Sequence, residues 1–254
     1  MNRKLIERLL AAGGWETDKR EPDDGVVEMR RKIVFGFPAL LFLSPLVALG
    51  RSITTEGNGW DDFIKECVPR AAELHKDTSP AGQDAYLFWL ASMSAKLDAA
   101  SMPKGKLSSF ANLDPPVETG PAYFGKPFFI IEWRMAPNAY LPPHNHPNIS
   151  VCSVCTDGEA VLRNYQPEGA VPEFASKTQF NVRQTNEQLL TVGRINCLSA
   201  SRDNIHTFKA GKKGARGFDI TTYHGKDAGF SFLEIASKAS GADDRMFEAT
   251  WTKR

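Results

Sequence analysis

The sequence predicts an all-β fold, an antiparallel barrel or jelly roll with helices on its amino-terminal side, and three observations carry that expectation. From Lys126 onward, short apolar runs rich in β-branched and aromatic residues are separated by Gly, Asp, Asn and Pro turn signals. Apart from a short pattern at Leu5, Leu9 and Leu10, helical periodicity falls in the stretch before them, between Trp60 and Ala100. Within the strand-type sequence, His144-Asn145-His146 is followed much later by His206. Residues two apart in an extended strand point to the same face, so His144 and His146 send both imidazoles to one spot. With His206 as the third ligand, the pattern suggests a metal site inside a small barrel.

A chain of 254 residues with a formal charge of +1 is long enough for one well-buried domain with appendages. Its Lys and Arg residues are scattered, so nothing marks a nucleic-acid binder. The four cysteines, Cys67, Cys152, Cys155 and Cys197, are too few and too dispersed for a disulfide scaffold. The expected organisation is an amino-terminal extension over 1–50, a helical section over 51–119, the barrel over 120–240 and a carboxy-terminal tail over 241–254.

The extension contains Arg30-Arg31 followed by an apolar stretch from Ile33 to Gly50, which is broken by Pro38 and Pro45 and ends in the small residues Ala48 and Gly50. This reads as a twin-arginine-type export signal, with a mature chain starting near Arg51, a periplasmic location and no stable membrane anchor after cleavage. The competing readings are a membrane anchor or an amphipathic core helix, and both prolines disfavour a spanning helix. If the segment is not a signal, the protein is cytoplasmic. Either Met1 or Met29 serves as the start.

Each later element has its own signal. Asp61 and Asp62 start a helix from Trp60 that carries Ile64, Cys67, Val68 and Ala71 to Leu74, with Pro69 kinking it or setting its true start. A second helix, from about Gln83 to Ala100, places Leu87, Leu90, Ser94 and Leu97 on one face. The run after Lys126 alternates, with Phe129, Ile131, Trp133 and Met135 on one face and Glu132 and Arg134 on the other. Further short strands are expected at 149–154, 160–165, 188–192, 194–198, 206–209, 218–223 and 230–236, with Asp157 and Gly158 in a tight turn and Asp203-Asn204 in another. The tail after Lys238 is polar, with Phe247 and Trp251 available to dock it back.

Three neutral imidazoles leave a divalent ion its full charge and open positions, which is a catalytic type of site. The residues around them resemble the cysteamine (2-aminoethanethiol) dioxygenase and plant cysteine oxidase family of cupin thiol dioxygenases. The resemblance is carried by His144, His146, Pro147, Ser150, Val151, Ser153, Gly158, Arg163 and Tyr165, by the segment "DNIHTFKA" around His206, and by "FDITTYHG" around Asp219. It spans about Phe128 to Phe232. It implies a cupin-type barrel in which His144, His146 and His206 bind Fe(2+), and a reaction in which dioxygen oxidises a small thiol or an N-terminal cysteine peptide to a sulfinic acid. Asp219 and Tyr165 are the catalytic candidates it supplies, and Arg163 is a further polar one. Most cupins add a glutamate soon after the HxH pair, where this chain has Ser150 and Val151. Where the family tends to carry Cys and Tyr near the end of the barrel, this chain has Gly229-Phe230-Ser231-Phe232, and a proline pair after the Asp strand is replaced by Thr222-Tyr223.

Other residues have plainer readings. His75 and His224 read as surface or hydrogen-bonded histidines. Cys152 and Cys155 have C-x-x-C spacing, but positions three apart on a strand face opposite sides, so they read as small core residues. Two other functions compete with thiol oxidation: a cupin oxygenase acting on a non-thiol substrate, and a non-enzymatic metal-dependent binding or sensor module.

Overall fold

The computed structural model describes residues 59–98, 101–174, 176–225 and 229–252. The extension over 1–50, with its export reading, lies outside the described residues. No helix among the described residues is long and apolar enough to cross a membrane.

Two helices come first. Helix α1 spans Trp60–Lys76, with Asp61 and Asp62 in its first turn and His75 and Lys76 in its last, charges placed to oppose the helix dipole. Pro69 is held inside it. Helix α2 spans Pro80–Ser94 and is started by Ser79, whose hydroxyl accepts from the Gly82 N–H, with Pro80 in the first turn. It is shorter than its periodicity suggested, because the chain turns after Ser94 and carries Leu97 back against the same core. Phe63, Cys67, Ala71, Tyr86 and Leu90 from the helices meet Phe128, Ile130, Cys152, Val154, Phe218 and Ile220 from the sheet. The helices therefore cover one outer face of the β structure.

The strands are β1 (Ser108–Ser109), β2 (Val117–Gly125), β3 (Phe128–Met135), β4 (Tyr140–Asn145), β5 (Ile149–Glu168), β6 (Phe180–Thr191), β7 (Ile195–Leu198), β8 (Ile205–Tyr223), β9 (Leu233–Ile235) and β10 (Met246–Trp251). They pair antiparallel in the order β1-β2-β3-β8-β5-β6-β10-β9, with β4 added to β8 and β7 to β5. Two long strands hold the architecture together. The first part of β5 pairs with the last part of β8 and with β7, while its second part pairs with the first part of β8 and with β6. A bridge between His144 and Phe232 then joins β4 to the segment leading into β9 and closes a ring of strands. This is the antiparallel barrel with outside helices that the sequence predicts.

The long strands correct the expected turn at Asp157-Gly158. The chain does not reverse there; it bends, with register shifts on both sides of Gly158. Gly158 (φ 67°) and Gly214 (φ 80°) take a left-handed conformation, and a Cβ on Gly158 would collide with the Gly214 carbonyl. Expected strands at 149–154 and 160–165 are thus one strand, as are those at 206–209 and 218–223. The polar tail also forms a strand, since β10 pairs with β6 and buries Ala249 and Trp251. On β3 the predicted faces hold, but the two charges differ: Arg134 is exposed, whereas Glu132 is covered, at 1 % exposed. It pairs with Arg216 and accepts from the Gly105 N–H, so its charge is compensated.

Leu90 is fully buried between α2 and the sheet. Leu90→Ala is expected to lower the unfolding free energy by about 2–5 kcal/mol in urea denaturation; a loss below about 1 kcal/mol would contradict the packing of α2 as a core element.

Candidate metal centre

Antiparallel register builds the site. His144 of β4 and His206 of β8 are direct partners, so their side chains leave the sheet on the same face. The Pro142-Pro143 pair has no N–H to give the ladder, and the register shifts between Leu141 and His144. His146 lies just past the strand end and is fixed by the loop before β8. Its N–H donates to the Asn204 carbonyl at 3.0 Å, and the Asn204 amide donates back to the His146 carbonyl at 2.9 Å.

Three nitrogens converge as a result. His146 Nε2 and His206 Nε2 are 2.9 Å apart, and His206 Nε2 and His144 Nε2 are also 2.9 Å apart. All three residues are buried, and the ligand atoms they offer lie within 4.8 Å of one another. Burial lowers each imidazole's basicity: His144 is lowered to about 4, and His146 and His206 fall well below the usual range, helped by the neighbouring rings. The cluster is neutral at physiological pH. His144 Nδ1–H donates to the Pro142 carbonyl at 2.9 Å, which leaves a lone pair on its Nε2.

The donor set fits a divalent transition-metal ion. A proton on His206 Nε2 is shared with one neighbour at a time, whereas a cation accepts all three lone pairs at once. The 2.9 Å spacings match nitrogens bound to one ion at about 2.1 Å and meeting near right angles. Among the described residues, the group able to share this ion consists of the three imidazoles alone. Ser150, near the position where a cupin glutamate is expected, turns its hydroxyl to His224 Nε2 at 2.8 Å. His146 Nδ1 and His206 Nδ1 are buried without a partner. Ring packing therefore fixes His206, whose edge meets Phe208 with centroids 4.8 Å apart.

The other sequence candidates fall in different places. Asp219 accepts from Ser153 Oγ at 2.6 Å and from Trp133 Nε1 at 3.1 Å, and the Trp133–Phe208 and Phe208–His206 ring contacts lead from it to the triad. Tyr165 is not beside the triad. On β5 it pairs with Ile205 while its neighbour Asn164 pairs with His206, so strand alternation turns it to the other face of the sheet from Asn164. The ring packs with Phe180, Val182, Ile205, Leu233, Ala249 and Trp251, where burial pushes the phenol up to about 12. Arg163 points outward and pairs with Glu187 at 2.6 Å. Cys152 faces the helices and Cys155 the opposite side, both as buried free thiols. His75 donates to the Tyr223 carbonyl and stays clear of the site.

Several neighbours of the triad were not singled out from sequence. Asn164 is the cross-strand partner of His206 and forms a buried reciprocal amide pair with Asn196, at 2.7 and 3.2 Å. Phe230 and Phe232 both lie with ring centroids 5.8 Å from that of His144. The middle residue of the HxH pair, Asn145, holds Ser231 from both sides. Its position between two ligands was the available signal.

Burial pushes the Asp219 carboxyl up from 3.8 to about 6, against the lowering effect of its bonds from Ser153 and Trp133. The folded chain therefore binds this proton before the unfolded chain does, so the stabilising contribution is complete below the unfolded value and is lost as pH rises through about 6. Relative to Asp219→Asn, the wild type is expected to lose up to about 3 kcal/mol of unfolding free energy between about pH 4 and 7. Urea denaturation across that range checks this, and a pH-independent difference would contradict it.

No protein-family model and no curated protein matches this chain. Solved structures similar to it include KdgF from a Halomonas species, at 10% identity over 46% of this chain and 87% of that one, with a TM-score of 0.34. The cupin domain of Schizosaccharomyces pombe Cnp3 is similar at 13% identity over 48% of this chain and 72% of that one, with a TM-score of 0.34. A recombinant oxalate oxidase in complex with glycolate is similar at 15% identity over 51% of this chain and 59% of that one, with a TM-score of 0.35.

Proposed function

We propose that this chain is an iron(II)-dependent thiol dioxygenase that uses dioxygen to oxidise a small thiol, or the N-terminal cysteine of a peptide, to a sulfinic acid. The observation that carries this reading is the buried triad of neutral imidazoles without a carboxylate ligand. A ferrous ion held there keeps its full positive charge and supplies both stabilisation of a thiolate and a place for dioxygen to react.

The chain's own residues do the positioning. His144, His146 and His206 hold the ion, and because they are neutral they compete little with protons for it at physiological pH. The Pro142 carbonyl fixes the His144 tautomer. The burial of all three rings keeps bulk water from the reacting atoms. Asp219, held by Ser153 and Trp133, is the acidic group of this reading, while Tyr165 packs in a separate apolar cluster. The same reading has the folded, metal-loaded protein exported to the periplasm through the Arg30-Arg31 leader.

The test is oxygen consumption by anaerobically reconstituted iron(II) protein offered cysteamine, cysteine, a Cys-initiated peptide or no thiol, with mass spectrometry of the products. Thiol-dependent uptake and a gain of two oxygen atoms on one thiol are expected, and His206→Ala is expected to lose both the iron and the uptake. Uptake that ignores the thiol would point to an oxygenase acting on another substrate. Bound iron with no uptake would leave a binding or sensor module.

A further inference from the structure

The three triad imidazoles are not equally enclosed. His206 is 0% exposed, while His144 and His146 retain 5% and 8%. The side of the cluster away from His206 is therefore the side nearer solvent. Of the rings that touch the triad, Phe208 against His206 and Phe232 against His144 are buried, whereas Phe230 against His144 is only partly buried. Phe230 stacks on Phe110, with centroids 5.8 Å apart and planes at 28°, and meets Phe232 edge-on at 5.4 Å. Phe110 and Phe232 also touch, at 6.2 Å, so the three rings form one aromatic surface that reaches His144 through both Phe230 and Phe232.

This surface is fixed in place. The Asn145 N–H donates to the Ser231 carbonyl at 3.1 Å, and the Ser231 N–H donates to Asn145 Oδ1 at 2.7 Å. The clamp thus sits between the two phenylalanines on one side and between two metal-ligating histidines on the other. Asn145 is 4% exposed, so its side chain is committed to this clamp rather than to solvent.

We propose that Phe230, backed by Phe110 and Phe232, is a specificity-determining wall of the substrate pocket, and that it selects metal ligands carrying an aromatic or other apolar group beside the metal-binding atoms. The proposal rests on the triad holding a metal, as read above, but not on the substrate being a thiol. Its physical basis is that this wall offers π-faces and no hydrogen-bond donor or acceptor. A polar or charged tail laid against it loses its hydration without replacement, while an apolar tail gains by burial.

The test uses full-length protein loaded with cobalt(II), titrated with acetohydroxamate and benzohydroxamate and followed by visible absorption. Both probes bind a metal through the same group, and neither is a thiol. Wild type is expected to favour benzohydroxamate about tenfold or more. F230A and F230Q are expected to bring the two affinities to within about twofold, whereas F230L, which keeps an apolar side chain and guards against a loss of fold, keeps most of the preference. Equal affinities in wild type, a preference unchanged in F230A and F230Q, or failure of either probe to reach the cobalt would overturn the proposal. Absence of thiol-dependent oxygen uptake would instead overturn the thiol reading and leave this result standing.

Discussion

The structure depends on three neutral imidazole nitrogens meeting in a place that water barely reaches. Nitrogen lone pairs aimed at one point repel unless something positive lies between them, and buried polar atoms are costly when left unsatisfied. The fold nevertheless commits much of its local design to that meeting. Direct pairing of His144 with His206 puts both rings on one face, the proline pair ahead of His144 adjusts the register, and Asn204 secures His146 beyond the end of its strand. Burial lowers all three basicities, so the lone pairs are free to bind a metal at physiological pH. A cation turns this cost into a gain, since a site that binds only in the folded chain stabilises that chain.

The remaining architecture is what such a meeting requires. Strands β5 and β8 are long enough to belong to two parts of the barrel, and they bend at Gly158 and Gly214, where the backbones approach too closely for a side chain. The same bending strand therefore supplies His206 near its start and Asp219 near its end, with Trp133 and Phe208 packed between them. Outside, the helices seal the face that carries Cys152, Val154, Phe218 and Ile220, so that the sheet is buried on both sides there.

The sequence pattern made the three histidines legible because their convergence follows largely from strand geometry, although His146 itself is held by the loop before β8. A two-residue spacing on an extended chain guarantees a shared face, and a third histidine beside a turn signal completes the set. Most strands and both helices were legible for the same reason. What remained hidden depends on pairing. Glycines that read as turn formers allow bends in continuous strands, as at Gly158, and sequence does not distinguish the two. Which face of β5 Tyr165 takes is set by its pairing with Ile205, one residue out of step with the Asn164–His206 pair, and that pairing is not written in the spacing. Glu132 keeps its predicted face but is buried there, because its partners Arg216 and Gly105 come from distant segments. The nearness of Phe230 to His144 likewise depends on a bridge between residues far apart in sequence.

The most direct measurement of the central claim is a crystal structure of the iron-loaded protein, with anomalous data collected on either side of the iron absorption edge. The account predicts one strong anomalous peak at about 2.1 Å from Nε2 of His144, His146 and His206 together, with no protein carboxylate among the ligands. A peak bound elsewhere, a carboxylate completing the set, or an iron-loaded protein whose three imidazoles turn away from the metal would contradict it.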